Sequence, residues 1–180
     1  MKKTITIFIS SVLVLTVLLV PAAFAQPYGY GLYGQVQYGD ETSLSIATSG
    51  NVTIGSITPT TGGTLATNTS VVTVTSTDVK GFKLYVRSLS STDMNNLGAV
   101  VPRSANGAPA SLTVNTWGYN TDASANFVGM TLTDVLIKSI TTPASSGNAT
   151  TFTYGINIDL SQPAGNYATS VIYTAVPQTD

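Results

Sequence analysis

The chain has 180 residues, seven Lys and Arg against eight Asp and Glu, and neither cysteine nor histidine. So little clustered positive charge argues against nucleic acid, whose phosphates need grouped Lys and Arg. The missing His removes the side chain most used for proton transfer and transition-metal ligation near neutral pH. Without Cys an exported form has no disulfide, and its stability rests on its core alone.

At the start, Lys2 and Lys3 form a positive region, Ile5 to Val20 an apolar one, and Ala23-Phe24-Ala25 before Gln26 a small-x-small cleavage site. This is the pattern of a secretory signal peptide over residues 1–25. The competing reading is an uncleaved anchor, since Thr4 to Ala25 is just long enough to span a bilayer. Pro21 and the alanine box favour processing, and with no cysteine after the apolar run a lipoprotein anchor is excluded. Cleavage removes two lysines and leaves a formal net charge of −3. The mature chain is long enough for one core, burying roughly 70% of its unfolded surface.

Residues 26–42 form a Tyr/Gly-rich extension. Tyr28, Tyr30, Leu32, Val36 and Tyr38 hold even positions, while Gly29, Gly31, Gln35, Gln37 and Gly39 hold odd ones, with Tyr33 the exception. That parity is a strand with one nearly bare face. The domain proper is expected over residues 43–180, with strands at Ser43–Ala47 and Val52–Ile57 and a polar loop at Thr58–Asn68. Val71–Thr77 and Phe82–Arg87, joined by Asp78-Val79-Lys80-Gly81, read as a hairpin. Its apolar face is Phe82, Leu84 and Val86, and its wet face is Lys83, Tyr85 and Arg87.

Ser88–Ala110 reads as an irregular connection and Leu112–Tyr119 as a strand holding the single tryptophan, Trp117. In Phe127–Ile140, Leu132, Val135 and Leu136 have helical spacing, but alternation from Asp134 to Thr141 favours a strand. Phe152–Val176 is the most legible stretch. Phe152, Tyr154, Ile156 and Ile158 alternate with polar or small residues, so Asn157 is expected on a wet face. Ser161–Asn166 turns the chain through Pro163 and Gly165, and a strand from Tyr167 closes a second hairpin. Strands at intervals of about ten residues without a convincing helix predict an all-β fold, a single antiparallel β-sandwich of Ig-like or pilin-like form.

The run Pro163-Ala164-Gly165-Asn166-Tyr167, followed by Val171-Ile172-Tyr173-Thr174, resembles the closing hairpin of secreted bacterial β-sandwich surface proteins. Among these are spore-coat-U-like pilin subunits, WxL-type cell-wall proteins and camelysin-like biofilm fibre subunits. The chain departs from them in lacking a cysteine pair, a Trp-x-Leu motif (it has Trp117-Gly118-Tyr119) and a Leu-Pro-x-Thr-Gly signal near Asp180. The resemblance implies a surface or fibre role and transfers no catalytic residue.

No catalytic, cofactor or metal site is expected. Lys138-Ser139 lacks a glycine elbow and an orienting group. Asp78, Asp93, Asp122, Asp134 and Asp159 read as turn residues rather than a hydrolytic pair. Asp93-Met94-Asn95-Asn96 is a fragment of a calcium site without the spacing of a known loop. Asn51-Val-Thr53, Asn68-Thr-Ser70 and Asn148-Ala-Thr150 match the glycosylation acceptor pattern. The expectation is an exported, non-enzymatic structural or adhesive protein whose partner is itself or the cell envelope. Tyr28, Tyr30, Leu32, Val36 and Tyr38 would be donated as a strand to another copy. The alternative is an extracellular polysaccharide-binding module, with Tyr85, Trp117 and Tyr119 on an open sheet face.

Overall fold

β-branched residues at alternate positions run through this chain. Over residues 43–77 and 80–178, which the computed structural model describes, they fold as strands. These are β1 (Ser43–Thr48), β2 (Thr64–Thr77), β3 (Gly81–Ser88), β4 (Met94–Asn96), β5 (Ala99–Val101), β6 (Thr116–Asn120), β7 (Val135–Ile140), β8 (Ala144–Ile158) and β9 (Val171–Gln178). No helix occurs among the described residues, and the fold is all-β. Strands β1-β2-β8-β6 make a four-stranded antiparallel sheet, β7-β3-β9 a three-stranded one, and β4-β5 a small ribbon. The expected signal peptide and the expected strand with Tyr28, Tyr30, Leu32, Val36 and Tyr38 lie outside the described residues.

Alternation decides what goes inside. Phe82, Leu84 and Val86 of β3 are fully buried, whereas Lys83 is exposed and Tyr85 and Arg87 are half-buried. Val72 and Val74 of β2 join them in one hydrophobic cluster with Phe152, Tyr154, Ile156 and Ile158 of β8. Val171, Tyr173 and Ala175 of β9 pack against that cluster, as do Val135, Ile137 and Ile140 of β7, so a common core serves both sheets. Each large apolar side chain buried there contributes about 1.5–3 kcal/mol.

Both expected hairpins are corrected. β8 bonds to β2 and β6 while β9 bonds to β3, so Phe152–Val176 crosses between sheets. Likewise β2 and β3 belong to different sheets, and Val71–Thr77 does not pair with Phe82–Arg87. A turn rich in Gly or Pro reverses the chain, yet it does not dictate whether the strands become neighbours or face each other across about 10 Å of core. At the second corner only glycine fits, because a Cβ on Gly81 would fall on the Ile140 carbonyl oxygen.

Other boundaries move for related reasons. Thr64–Asn68, expected in a loop, extends β2 because the far end of β8, Tyr154–Ile158, offers it ladder partners. Val52–Ile57, expected as a strand, has no ladder partner among the described residues. The Leu112–Tyr119 strand contracts to β6, and β9 starts at Val171 rather than Tyr167. Ser88–Ala110 holds the β4-β5 ribbon, turned by Leu97 and Gly98 at φ 46° and 97°.

The face of β8 that alternation assigns to water is partly covered. Leu112 and Phe127, from the segments on either side of β6, reach it; these segments are tied to β6 by the Tyr119–Val128 bridge and to each other by the Ala110–Phe127 bridge. Asn106 Nδ2 locks this cover by donating to the Ala110 and Phe127 carbonyls at 3.0 and 3.1 Å. The Phe127 ring sits where a Cβ on Gly155 would otherwise project. Asn157 is half-buried and donates to the Leu112 carbonyl at 3.1 Å.

Candidate functional site

Beyond Thr48 the chain leaves the ladder of β1. Ser49 still bonds to Val71, its N–H reaching the Val71 carbonyl at 2.9 Å and its hydroxyl accepting the Val71 N–H at 3.0 Å. From Asn51 to Ile57, however, no backbone N–H donates to another described residue. Even so, the side chains alternate. Val52 and Ile54 pack against the core while Asn51, Thr53 and Gly55 face outward; the alternation then breaks, with Ser56 also exposed and Ile57 packed against the core. The segment is held by the Asn68 amide, which donates to the Thr53 carbonyl at 2.7 Å. Over Asn51–Gly55 it therefore has the alternation of a strand, with N–H groups that have no partner among the described residues.

This segment is one wall of an open groove with a volume of about 1160 Å³. The floor is the core itself. Tyr154, Ile156 and Ile158 line the groove and retain 6–8% exposure, whereas Phe152, further along the same strand face, has none. Room arises because Ala66, Asn68 and Ser70 continue the β2 face of Val72 and Val74 with small or polar side chains. Among the described residues none that lines the groove is charged.

The opposite wall is Gln162 to Val171, and its entry is clamped. The Asp159 carboxylate accepts from Ser161 Oγ at 2.6 Å, from the Ser161 N–H at 2.9 Å and from Asn115 Nδ2 at 2.8 Å. Asn115 Oδ1 in return accepts the Asp159 N–H at 3.0 Å. These bonds, Ser161's hydroxyl foremost and Asn115's amide next, hold the Asp159 carboxyl below the ordinary carboxylate range. Further along, the Tyr167 hydroxyl donates to the Pro163 carbonyl at 2.7 Å and accepts from Gln162 Nε2 at 2.8 Å. The Pro163-Ala-Gly-Asn-Tyr167 run is thereby a fixed loop. Ala168 pairs with Asn95 of β4, and Thr169 Oγ1 reaches the Ser91 carbonyl at 3.0 Å.

Two tyrosines mark where the groove meets both sheets. Tyr154 of β8 and Tyr173 of β9 share a hydroxyl–hydroxyl hydrogen bond, and both line the groove. Burial pushes the Tyr154 phenol far above its ordinary value, with Tyr173 beside it adding to the effect. Burial likewise raises Tyr173 and Tyr119. These phenols stay neutral, so the groove offers hydrogen-bonding and apolar surface rather than charge.

The aromatic residues considered for a glycan platform do not come together. Trp117 is fully buried, with Nε1 donating to the Thr92 carbonyl at 2.9 Å, and Tyr119 is 3% exposed. Both are on β6, while Tyr85 is on β3 of the other sheet, so the three form no common solvent-facing surface. The Asp93 carboxylate accepts the Arg103 N–H at 3.1 Å and so joins the two ends of the β4-β5 ribbon. Sequence reasoning missed the groove, although alternation at Val52 and Ile54 was visible. What it could not show was that this segment lacks a pairing partner among the described residues.

No family model matches the chain, and neither a curated protein nor a solved structure matches it.

Proposed function

We propose that the chain is an exported, non-enzymatic structural protein of the cell surface, a single β-sandwich that serves as a fibre subunit by strand donation. Residues 1–25 direct export and are removed, and the Tyr/Gly-rich extension follows as the assembling segment. One observation carries this reading. A groove floored by core residues and walled by Asn51–Ile57, whose N–H groups have no partner among the described residues, is a place where an added strand gains main-chain hydrogen bonds. The signal-peptide pattern at Lys2 to Ala25 supports export.

Negative-stain microscopy and sizing of the exported chain, beside a form lacking Gln26 to Gly39, test it. Fibres from the first and monomers from the second are expected. A full-length protein that stays monomeric at high concentration removes the proposal.

A further inference from the structure

We infer that the groove between Asn51–Pro59 and Gln162–Val171 is the acceptor, and that its occupant is Tyr28 to Tyr38 of a second copy, paired through its backbone with Asn51–Ile57. This rests on the fibre-subunit reading above and adds the place and the partner segment.

Four properties of the groove select that occupant. The first is backbone. Asn51 to Ile57 holds its N–H groups unpaired among the described residues, so a strand laid beside it gains main-chain hydrogen bonds without breaking one made to any of them. The second is side-chain pattern. The floor of Tyr154, Ile156 and Ile158 takes apolar groups from one face only, and Tyr28, Tyr30, Leu32, Val36 and Tyr38 present them on one parity, leaving mainly Gly and Gln on the other. A one-residue slip would turn Gly and Gln toward the floor, so the pattern also sets the register.

The third is charge. Among the described residues the groove lining carries none, and neither does the run from Gln26 to Gly39, so occupation buries no unpaired ion from either. Segments of the chain that carry Lys or Asp would desolvate a charge there. The fourth is length and direction. Asn51 to Pro59 spans nine residues, and Tyr28 to Tyr38 eleven; by strand rise these are about 30 Å and about 36 Å. β1 runs toward the groove, and Ser43, the end nearer the extension in sequence, stands about 17 Å from Thr48, where the groove begins. An extension turning back on its own domain would spend residues retracing β1 before reaching the groove, whereas one from a second copy enters with its whole length.

The absence of cysteine makes the contact directly testable. Gln35→Cys lies on the polar parity of the extension and leaves its apolar face intact. Ser56→Cys and Asn166→Cys lie on opposite rims of the groove, and both positions are exposed. The exported Q35C chain is mixed with the S56C or N166C chain, assembled, treated with a short bis-maleimide and run on a denaturing gel, with fibres counted by microscopy. A cross-linked dimer is expected from each mixture and a ladder of multimers from the Q35C/S56C double variant. Both should fall at least tenfold when Val36→Asp is added to the Q35C chain, because a carboxylate then faces the apolar floor.

Fibres without any cross-link at either rim overturn this inference and leave the fibre reading standing. A cross-linked monomer from the double variant, with no ladder, shows a copy filling its own groove and also overturns it. Absence of fibres from the unsubstituted chain defeats the fibre reading, and this inference with it.

Discussion

The Tyr154 and Tyr173 hydroxyls hydrogen-bond to each other across the two sheets, one from β8 and one from β9. Phe152 packs against both rings, its centroid 6.4 Å from Tyr154 and 4.9 Å from Tyr173. The trio joins the sheets at the end of the groove, where no backbone hydrogen bond links β8 to β9. Tyr154→Phe leaves the Tyr173 hydroxyl without this partner and costs about 1 kcal/mol, as does the reverse substitution. In a urea-denaturation double-mutant cycle the paired substitution should cost less than the sum. A cycle that is additive within error would show that the bond contributes nothing.

Alkaline pH should destabilise the fold through the same residues. Burial raises the folded-state pKa of Tyr154, Tyr173 and Tyr119 above the value of about 10 that an unfolded tyrosine has. Above that value the unfolded chain releases protons that the folded chain still holds, so stability is intact below about pH 10 and falls as pH rises. Urea midpoints measured from about pH 8 to about pH 11 should decline. The Tyr154→Phe variant should decline less steeply, and an unchanged slope would place the effect elsewhere.

Ile156 and Ile158 are 6% and 8% exposed on the groove floor, and Phe152 is fully enclosed. Truncation to Ala should cost about 2–5 kcal/mol at either isoleucine and about 3–5 kcal/mol at Phe152. Chemical denaturation of the three variants measures this. Losses within error at both isoleucines would mean that this face of β8 is not core.

Gly155 accommodates Phe127, since a Cβ at that position would lie 2.6 Å from the ring. Gly155→Ala should therefore cost about 1–3 kcal/mol by overpacking. Adding Phe127→Leu, which shortens the opposing side chain, should make the glycine substitution cheaper than it is alone, as thermal melts of the single and double variants can show.

Asn157→Ser is a sharper case, because alternation along β8 assigns Asn157 to water and makes the change silent. Its bond to the Leu112 carbonyl, at 3.1 Å, instead predicts a loss of about 0.5–1.5 kcal/mol. Equilibrium unfolding distinguishes the two expectations.

The residues of β3 and β8 determined their own faces. Phe82, Leu84 and Val86, and Phe152, Tyr154, Ile156 and Ile158, point inward as their period-two spacing requires, because successive side chains of a strand leave on opposite sides. The absence of helix among the described residues was legible for the same reason. Pairing was not, because a ladder is made between residues far apart in the chain, and Ser161–Asn166 turns the backbone equally well into a neighbouring strand or across the core. Nor was the cover over Gly155, which depends on Phe127 arriving from another segment. At the candidate site, Val52 and Ile54 announced an inward face by their alternation, while the strand expected of the uncharged Tyr/Gly run lies outside the described residues. Only the tertiary structure decided that Asn51–Ile57 stands beside the groove floor without a ladder partner among the described residues, because pairing is a property of what comes near a segment in space.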